Sequence, residues 1–358
     1  MNHYAAISAA LEAENLDAVL LTGEANRFYA SGFFTPGADA AALVTRKDAL
    51  FFTDARYTEA AARRLDGAEL REVGPGKGLM DQLREQVLSK GIRRLGFEDG
   101  AMTVQSFRRL EKAMAEIQLV PASGPVLKLR QTKDAWELEA MEAAQGIAER
   151  ALEDILKEIR PGVTEKEIAA RLQYLMLHYG ASDMSFDPIV VSGPNGSLPH
   201  GVPSEKEIQA GEFVTMDFGC VYEGYCSDMT RTVAVGSVTG EMERVYKTVL
   251  AAQGAGIAAA GAGVPGKDVD AAARAVIQEA GYGEYFTHSF GHGVGVEIHE
   301  APNASAASEA PLPAGAVISA EPGIYIPGRL GVRIEDVILI TAEGRRNLTK
   351  APKELMVL

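Results

Sequence analysis

Read by the spacing of its apolar positions, the chain changes character after its first third. "LDAVLLT" (residues 16–22), "AAALVT" (40–45), "ALFFTD" (49–54) and "RRLGFE" (93–98) are short strand-like runs, and "GLMDQLREQVLSKG" (78–91) spaces its apolar residues as a helix does. That alternation predicts a small α/β domain. Small, Pro and Gly residues then collect in "VPASGPVLKLRQTKD" (120–134), so the division is expected between residues 121 and 132 and is drawn as 1–124 and 125–358. Beyond it, Asp134 with Glu137 and Thr164 with Glu167 have the spacing of capping boxes and open two predicted helices. The second of these runs toward Tyr179, and a third helix is expected from about Glu241 to Ala262. Past Phe186 strands dominate: "FVTMDFGC" (213–220), "YCSDMTRTVAVG" (225–236), "AVISAEPGIYI" (316–326) and "GVRIEDVILI" (331–340) are bounded by Gly and Pro. The second domain is therefore expected to be α+β.

Composition narrows the function classes. A length of 358 residues exceeds what one core usually serves, in keeping with two domains. With 35 basic and 49 acidic side chains the net charge of −14 repels a phosphate backbone, which argues against nucleic acid as a partner. The longest uncharged run, Thr248 to Gly266, is Ala- and Gly-rich and contains Gln253, so it reads as helix plus loop and not as a membrane span. Glu12, Glu14 and Asp17 stand where the apolar core of an export signal would lie, and two cysteines suit a reducing compartment. A cytoplasmic location is expected.

The chemistry lies in charged residues set inside apolar strands: Asp217, Asp228, Glu321 and Glu335. Burying a carboxylate is costly unless something neutralises it. Asp217 and Asp228 belong to one predicted hairpin centred between Tyr222 and Glu223, beside Gly224; in that register they lie directly opposite each other. Cys226 then shares their face and Cys220 points the other way, so no disulfide is expected. In "VRIED" the period of two puts Arg333 and Glu335 on one face and Asp336 on the other. Four converging carboxylates would repel one another into protonation unless cations lie among them. "HSFGHGVGVEIHE" (288–300) adds three of the six histidines. Taken singly, each of these residues is as ordinary as a turn carboxylate or a loop histidine; the ordered set is what points to a site. One imidazole with several carboxylates is a hard donor set suited to two divalent ions such as Mn²⁺, with Co²⁺, Zn²⁺ or Fe²⁺ as alternatives.

The order "MDFG", "SDMTRT", "GHGVGVEIHE", "EPGIY", "VRIED" resembles the pita-bread metallopeptidases, and "SFDPIVVSGPNGSLPHGVPS" with the extra N-terminal domain resembles their proline-specific branch. The resemblance implies a curved mixed or antiparallel sheet flanked by helices, preceded in the chain by a smaller α/β creatinase-like N-terminal domain. It implies five ligands, Asp217, Asp228, His292, Glu321 and Glu335, with Asp228 and Glu335 bridging two metal ions. It also implies substrate handling by His200, His299 and Arg333, with weaker expectations for Tyr325 and, in the N-terminal domain, Arg56 and Tyr57. Two ions about 3.5 to 4 Å apart can share a hydroxide, and Glu321 is the expected proton shuttle. His288 is left without a role, and His3 and His178 read as ordinary surface or helix residues. The expected activity is removal of an N-terminal residue that precedes proline, by a homodimer. Cleavage of Xaa-Pro dipeptides alone is the alternative, and a metal-free binding module is the alternative of another class.

Overall fold

The computed structural model describes residues 2–37 and 40–358. The chain forms two compact units, Met1–Arg130 and Gln131–Leu358. The boundary drawn at 124/125 falls inside the helix Ser123–Arg130, which belongs to the first unit. Pro125 sits in the first turn of that helix, where its missing N–H would have had no intrahelical partner. The Pro and Gly cluster thus starts a helix and is not a linker.

The first unit is built on a six-stranded mixed sheet in the order Glu69–Val73, Ala49–Asp54, Ala40–Thr45, Ala18–Leu21, Arg94–Phe97, Gln118–Pro121. Its four central strands are the four apolar runs of the sequence. Ala18–Leu21 and Ala40–Thr45 are buried at every position, as strands covered on both faces must be. The two edge strands, "ELREV" and "QLVP", are half-buried or exposed and carry no apolar run, so the pattern passes over them.

In the second unit both capping boxes are formed. Asp134 accepts from the Glu137 amide at 2.9 Å at the head of Ala135–Ile155, and Thr164 accepts from the Glu167 amide at 3.1 Å at the head of Glu165–His178. A third helix covers Gly240–Ala259. A fourth, Gly266–Glu279, is not foreseen, because its buried stripe of Val269, Ala273 and Ile277 is too rich in small residues to contrast with its neighbours.

Among the described residues the strands of this unit pair antiparallel. Phe213–Phe218 and Met229–Ala234 alternate strictly. Val214, Met216, Phe218, Met229 and Val233 face an apolar cluster that includes Ala148, Leu152, Leu172 and Met176 of the first two helices, whereas Thr215, Asp217, Thr230 and Thr232 take the other face. Val317–Ala320 and Asp336–Thr341 pack Ile318, Ile338 and Ile340 against a second cluster, under the third and fourth helices. Behind the hairpin, the buried Arg231 donates to the carbonyls of Thr230, Glu335, Ala351 and Pro352 and pairs with Asp336 at 2.8 Å.

The hairpin register differs from expectation. Tyr222 pairs with Tyr225, and the two central turn residues are Glu223 and Gly224, both at positive φ as a two-residue type I′ turn requires. Asp217 therefore faces Thr230, and Asp228 lies diagonal to it. The displacement is two residues, so both aspartates keep one face. Cys220 and Cys226 are free and reach opposite ways, to the carbonyls of Ala144 and Val296.

Candidate active site

Each carboxylate is delivered by the end of a strand. Asp217 stands in Phe213–Phe218, Asp228 just before Met229–Ala234, Glu321 just after Val317–Ala320, and Glu335 between Leu330–Arg333 and Asp336–Thr341. His292 is the centre of Gly291–Gly293. The glycines around it are steric necessities. A Cβ on Gly291 would lie 2.0 Å from the Ser319 carbonyl oxygen, and one on Gly293 would lie 2.5 Å from that of Glu300.

The five side chains meet. His292 Nε2 lies 3.1 Å from Glu321 Oε1 and 3.6 Å from Asp228 Oδ2. Asp228, His292 and Glu335 each offer one donor atom within 4.8 Å of the others. Arg333 donates to Asp217 Oδ2 at 2.5 Å and to Thr230 Oγ1 at 3.0 Å, and Thr230 Oγ1 donates to Glu335 Oε2 at 2.7 Å. Asp336 points away to Arg231, as the period of two requires.

Burial, then the charge of Asp217, raises the Asp228 carboxyl well above its ordinary value; burial, then Asp228, does the same to Glu335. Burial also raises Asp217 despite the opposing charge of Arg333. Burial would lift Glu321 too, but the hydrogen bond and charge of His292 outweigh it and hold that carboxyl at about 2. Conversely, burial lowers His292, and Glu321 and Asp228 carry it up to about 9.

Two buried carboxylate oxygens, Asp217 Oδ1 and Glu335 Oε1, have no hydrogen-bond partner. Bare acceptors beside crowded negative charge are costly for a protein and are what a cation needs. Four carboxylates and one imidazole fit divalent ions that prefer oxygen and nitrogen donors.

Around this cluster lie residues to which the sequence assigns no role, Ser319, Thr230 and His288, together with the expected substrate-handling ones. Ser319 Oγ accepts from the His292 amide at 2.9 Å and donates to Glu321 Oε1 at 3.0 Å. Like Thr230, it stands two residues from an acidic residue on the same strand run, so the period of two could have found both. His288 shares a 2.9 Å hydrogen bond with the hydroxyl of Tyr325, which also accepts from Arg333 at 2.8 Å. Tyr325 is only 5% exposed, and burial pushes its phenol up to about 12, so its hydroxyl is engaged inside the protein. The exposed His299 packs edge-on to His292, ring centroids 4.3 Å apart. The adjoining Glu300 is locked by Lys133 in an ion pair of 2.7 Å with side chains 6% and 1% exposed. His200 is exposed on a loop whose Pro199 carbonyl accepts from Arg333 at 3.2 Å. Arg56 and Tyr57 belong to the first unit, where Arg56 pairs with Asp54 at 2.6 Å and lies 5.4 Å from the Tyr57 ring centre.

A buried, oxygen-rich cluster on the strand ends of this α+β unit is the mark of a metallohydrolase. The chain belongs to metallopeptidase family M24, whose model matches residues 139–342, and residues 4–132 match the creatinase/prolidase N-terminal domain. Its fold is a creatinase-like domain followed in the chain by a pita-bread domain. A solved Xaa-Pro dipeptidase from Bacillus anthracis is 44% identical, with 99% of each chain covered and a TM-score of 0.94. An X-Pro aminopeptidase structure from Thermotoga maritima is 38% identical, covering 98% of this chain and all of that one (100%), with a TM-score of 0.92. An Xaa-Pro dipeptidase of Pyrococcus horikoshii is 38% identical over 347 residues, 97% of this chain and 96% of its own. The resemblance to the proline-specific branch is thereby borne out. Among the described residues, no helix is long and apolar enough to cross a membrane.

Proposed function

We propose that this chain hydrolyses the bond between an N-terminal residue and a following proline, and that it does so as an Xaa-Pro dipeptidase. The observation that carries the reading is the buried carboxylate cluster with its two bare oxygens, Asp217 Oδ1 and Glu335 Oε1. Asp217, Asp228, His292, Glu321 and Glu335 would hold two divalent ions, and Mn²⁺ suits so oxygen-rich a set. Such a pair, when bound, acidifies water and polarises a carbonyl. Glu321 uses Oε1 to meet Ser319 and His292, which leaves Oε2 to take the proton of the attacking water and hand it to the departing proline nitrogen. His200 and His299, exposed beside the cluster, donate hydrogen bonds to the substrate oxygen as negative charge gathers on it. Arg333 fixes Asp217 and, through Tyr325, is itself fixed.

From the sequence alone the aminopeptidase is the expected activity. The full-length likeness to proteins named Xaa-Pro dipeptidase supports the alternative better. Hydrolysis of Xaa-Pro dipeptides against Xaa-Pro tripeptides, with Mn²⁺ added, decides between them: a dipeptidase strongly prefers the former, and equal kcat/KM on both restores the aminopeptidase. A cytoplasmic homodimer completes the proposal, and sedimentation tests the dimer.

A further inference from the structure

The loop carrying His200 leaves the strand Ile189–Ser192, passes the 3₁₀ turn Gly193–Ser197 and ends near Ser204. Leu198 and Val202 flank His200 and are 56% and 82% exposed, so packing does little to fix the tip. Hydrogen bonds give the loop order, at its base and at Pro199. Glu165, fully buried in the first turn of Glu165–His178, has no part in the carboxylate cluster. Its Oε1 accepts from the Ser192 amide at 2.6 Å, the Ser192 hydroxyl at 2.9 Å and Asn195 Nδ2 at 3.1 Å. Its Oε2 accepts from the Ser204 hydroxyl at 2.6 Å, the Ser204 amide at 3.2 Å and Asn195 Nδ2 at 3.2 Å. One carboxylate thus ties the start, the interior and the end of the loop. Two backbone bonds of 3.1 Å, from the Glu165 amide to Lys206 and from the Lys166 amide to Ser204, fix the carboxylate's own place. Lys206 Nζ, donating to Ser192 Oγ at 2.9 Å, puts positive charge one hydrogen bond away.

A carboxylate suits this place because the Ser192 and Ser204 amides can only donate; a glutamine would turn its NH₂ toward one of those two amides, so that one end of the loop loses its backbone bond. At the tip, Arg333 donates to the Pro199 carbonyl and ties the loop to the residue that grips Asp217. We infer that Glu165 is a positioning residue, which sets where His200 meets the substrate by holding both ends of its loop. The inference rests on the proposed role of His200.

The test compares Glu165→Gln and Ser204→Ala, each alone and combined with His200→Ala. Metal content, hydrogen exchange of residues 193–204, and kcat and KM are measured. Both single variants should keep their metal and the slow exchange of the 213–234 hairpin. Exchange of 193–204 should rise, and kcat/KM should fall on the order of 10- to 100-fold for Glu165→Gln and less for Ser204→Ala. In the His200→Ala background the same changes should cost less than about twofold, because the histidine they position is gone. Unchanged exchange of 193–204 in both variants, or equal fold-losses with and without His200, would overturn the inference. Should Glu165→Gln fail to fold, Ser204→Ala, which removes one 2.6 Å bond, carries the same comparison. Should His200→Ala keep wild-type kcat/KM, the role of His200 falls, and the exchange of 193–204 alone decides whether Glu165 holds the loop.

Discussion

Both units bury carboxylates, and they treat them differently. In the first, Glu98 is 1% exposed, and both of its oxygens have donors: the amides of Thr22 and Gly23 on one, Asn26 Nδ2 on the other. Asp336 in the second unit is equally well supplied, by Arg231, Lys353 and Asn347. Asp217 and Glu335, close by in the same unit, each keep one oxygen bare. Burial alone therefore says little about chemistry. A buried carboxylate whose acceptors are all matched is a fastener, and one left partly unmatched among its own kind is a place for a cation.

The sharpest way to break this contrast is to remove the cations. Chelation should abolish peptidase activity, and Mn²⁺ should restore it. Asp228→Ala should cost at least on the order of 1000-fold and lower the metal content, whereas two metals and substantial turnover in that variant would sink the site assignment. Next in size, Ser319→Ala unties the His292 backbone from Glu321 and should cost about 10- to 100-fold in activity or metal affinity; titration of the metal-free variant reads the loss.

The metal-free protein should also respond to pH. Asp217, Asp228 and Glu335, raised in the fold, keep protons that the unfolded chain gives up above about pH 4. A raised group stabilises the fold below its unfolded pKa, and that contribution fades as pH rises through the folded value. His292, lifted from 6.5 to about 9, acts in the same direction, and Glu321, held at about 2, opposes it only in strong acid. The melting temperature of chelated protein should therefore drop by several degrees between about pH 5 and pH 8, and that of the Mn²⁺-loaded protein should not. A flat profile for the chelated form would count against this crowding.

The first unit gives the control. Glu98→Gln should cost about 1–3 kcal/mol of stability in denaturant unfolding and leave the metal content unchanged. Smallest is the exposed pair Arg56 and Asp54, with Arg56 63% exposed: Arg56→Ala should move stability by less than about 1 kcal/mol. The same change, or Tyr57→Ala, should alter the preference for the residue before proline. Unchanged kcat/KM for both across an Xaa-Pro panel removes these two positions from the site.

What the sequence disclosed follows from side-chain periodicity. A period of two separates Glu335 from Asp336, and it keeps Asp217 and Asp228 on one face even though the turn sits one residue later than expected. Capping boxes are local chemistry, so Asp134 and Thr164 announce their helices. The edge strands and Gly266–Glu279 lack apolar contrast and go unseen. The grip of Glu165 on Ser192 and Ser204 joins positions 27 and 39 residues apart, and no local pattern encodes such a pairing.

The clamp of Arg231 bears on how the protein is made. Its guanidinium sits in the strand that follows Asp228 and closes on the Pro352 carbonyl, 121 residues downstream. Met356 and Leu358 pair with the same strand through Ala234 and Gly236. On the ribosome the first unit has all of its own sheet long before that point, whereas the acidic hairpin must wait for residues translated after Glu335, the last carboxylate of the cluster. If the cluster holds metal as proposed, loading follows translation, and a nascent chain stalled before Ala351 would expose carboxylates it cannot yet organise.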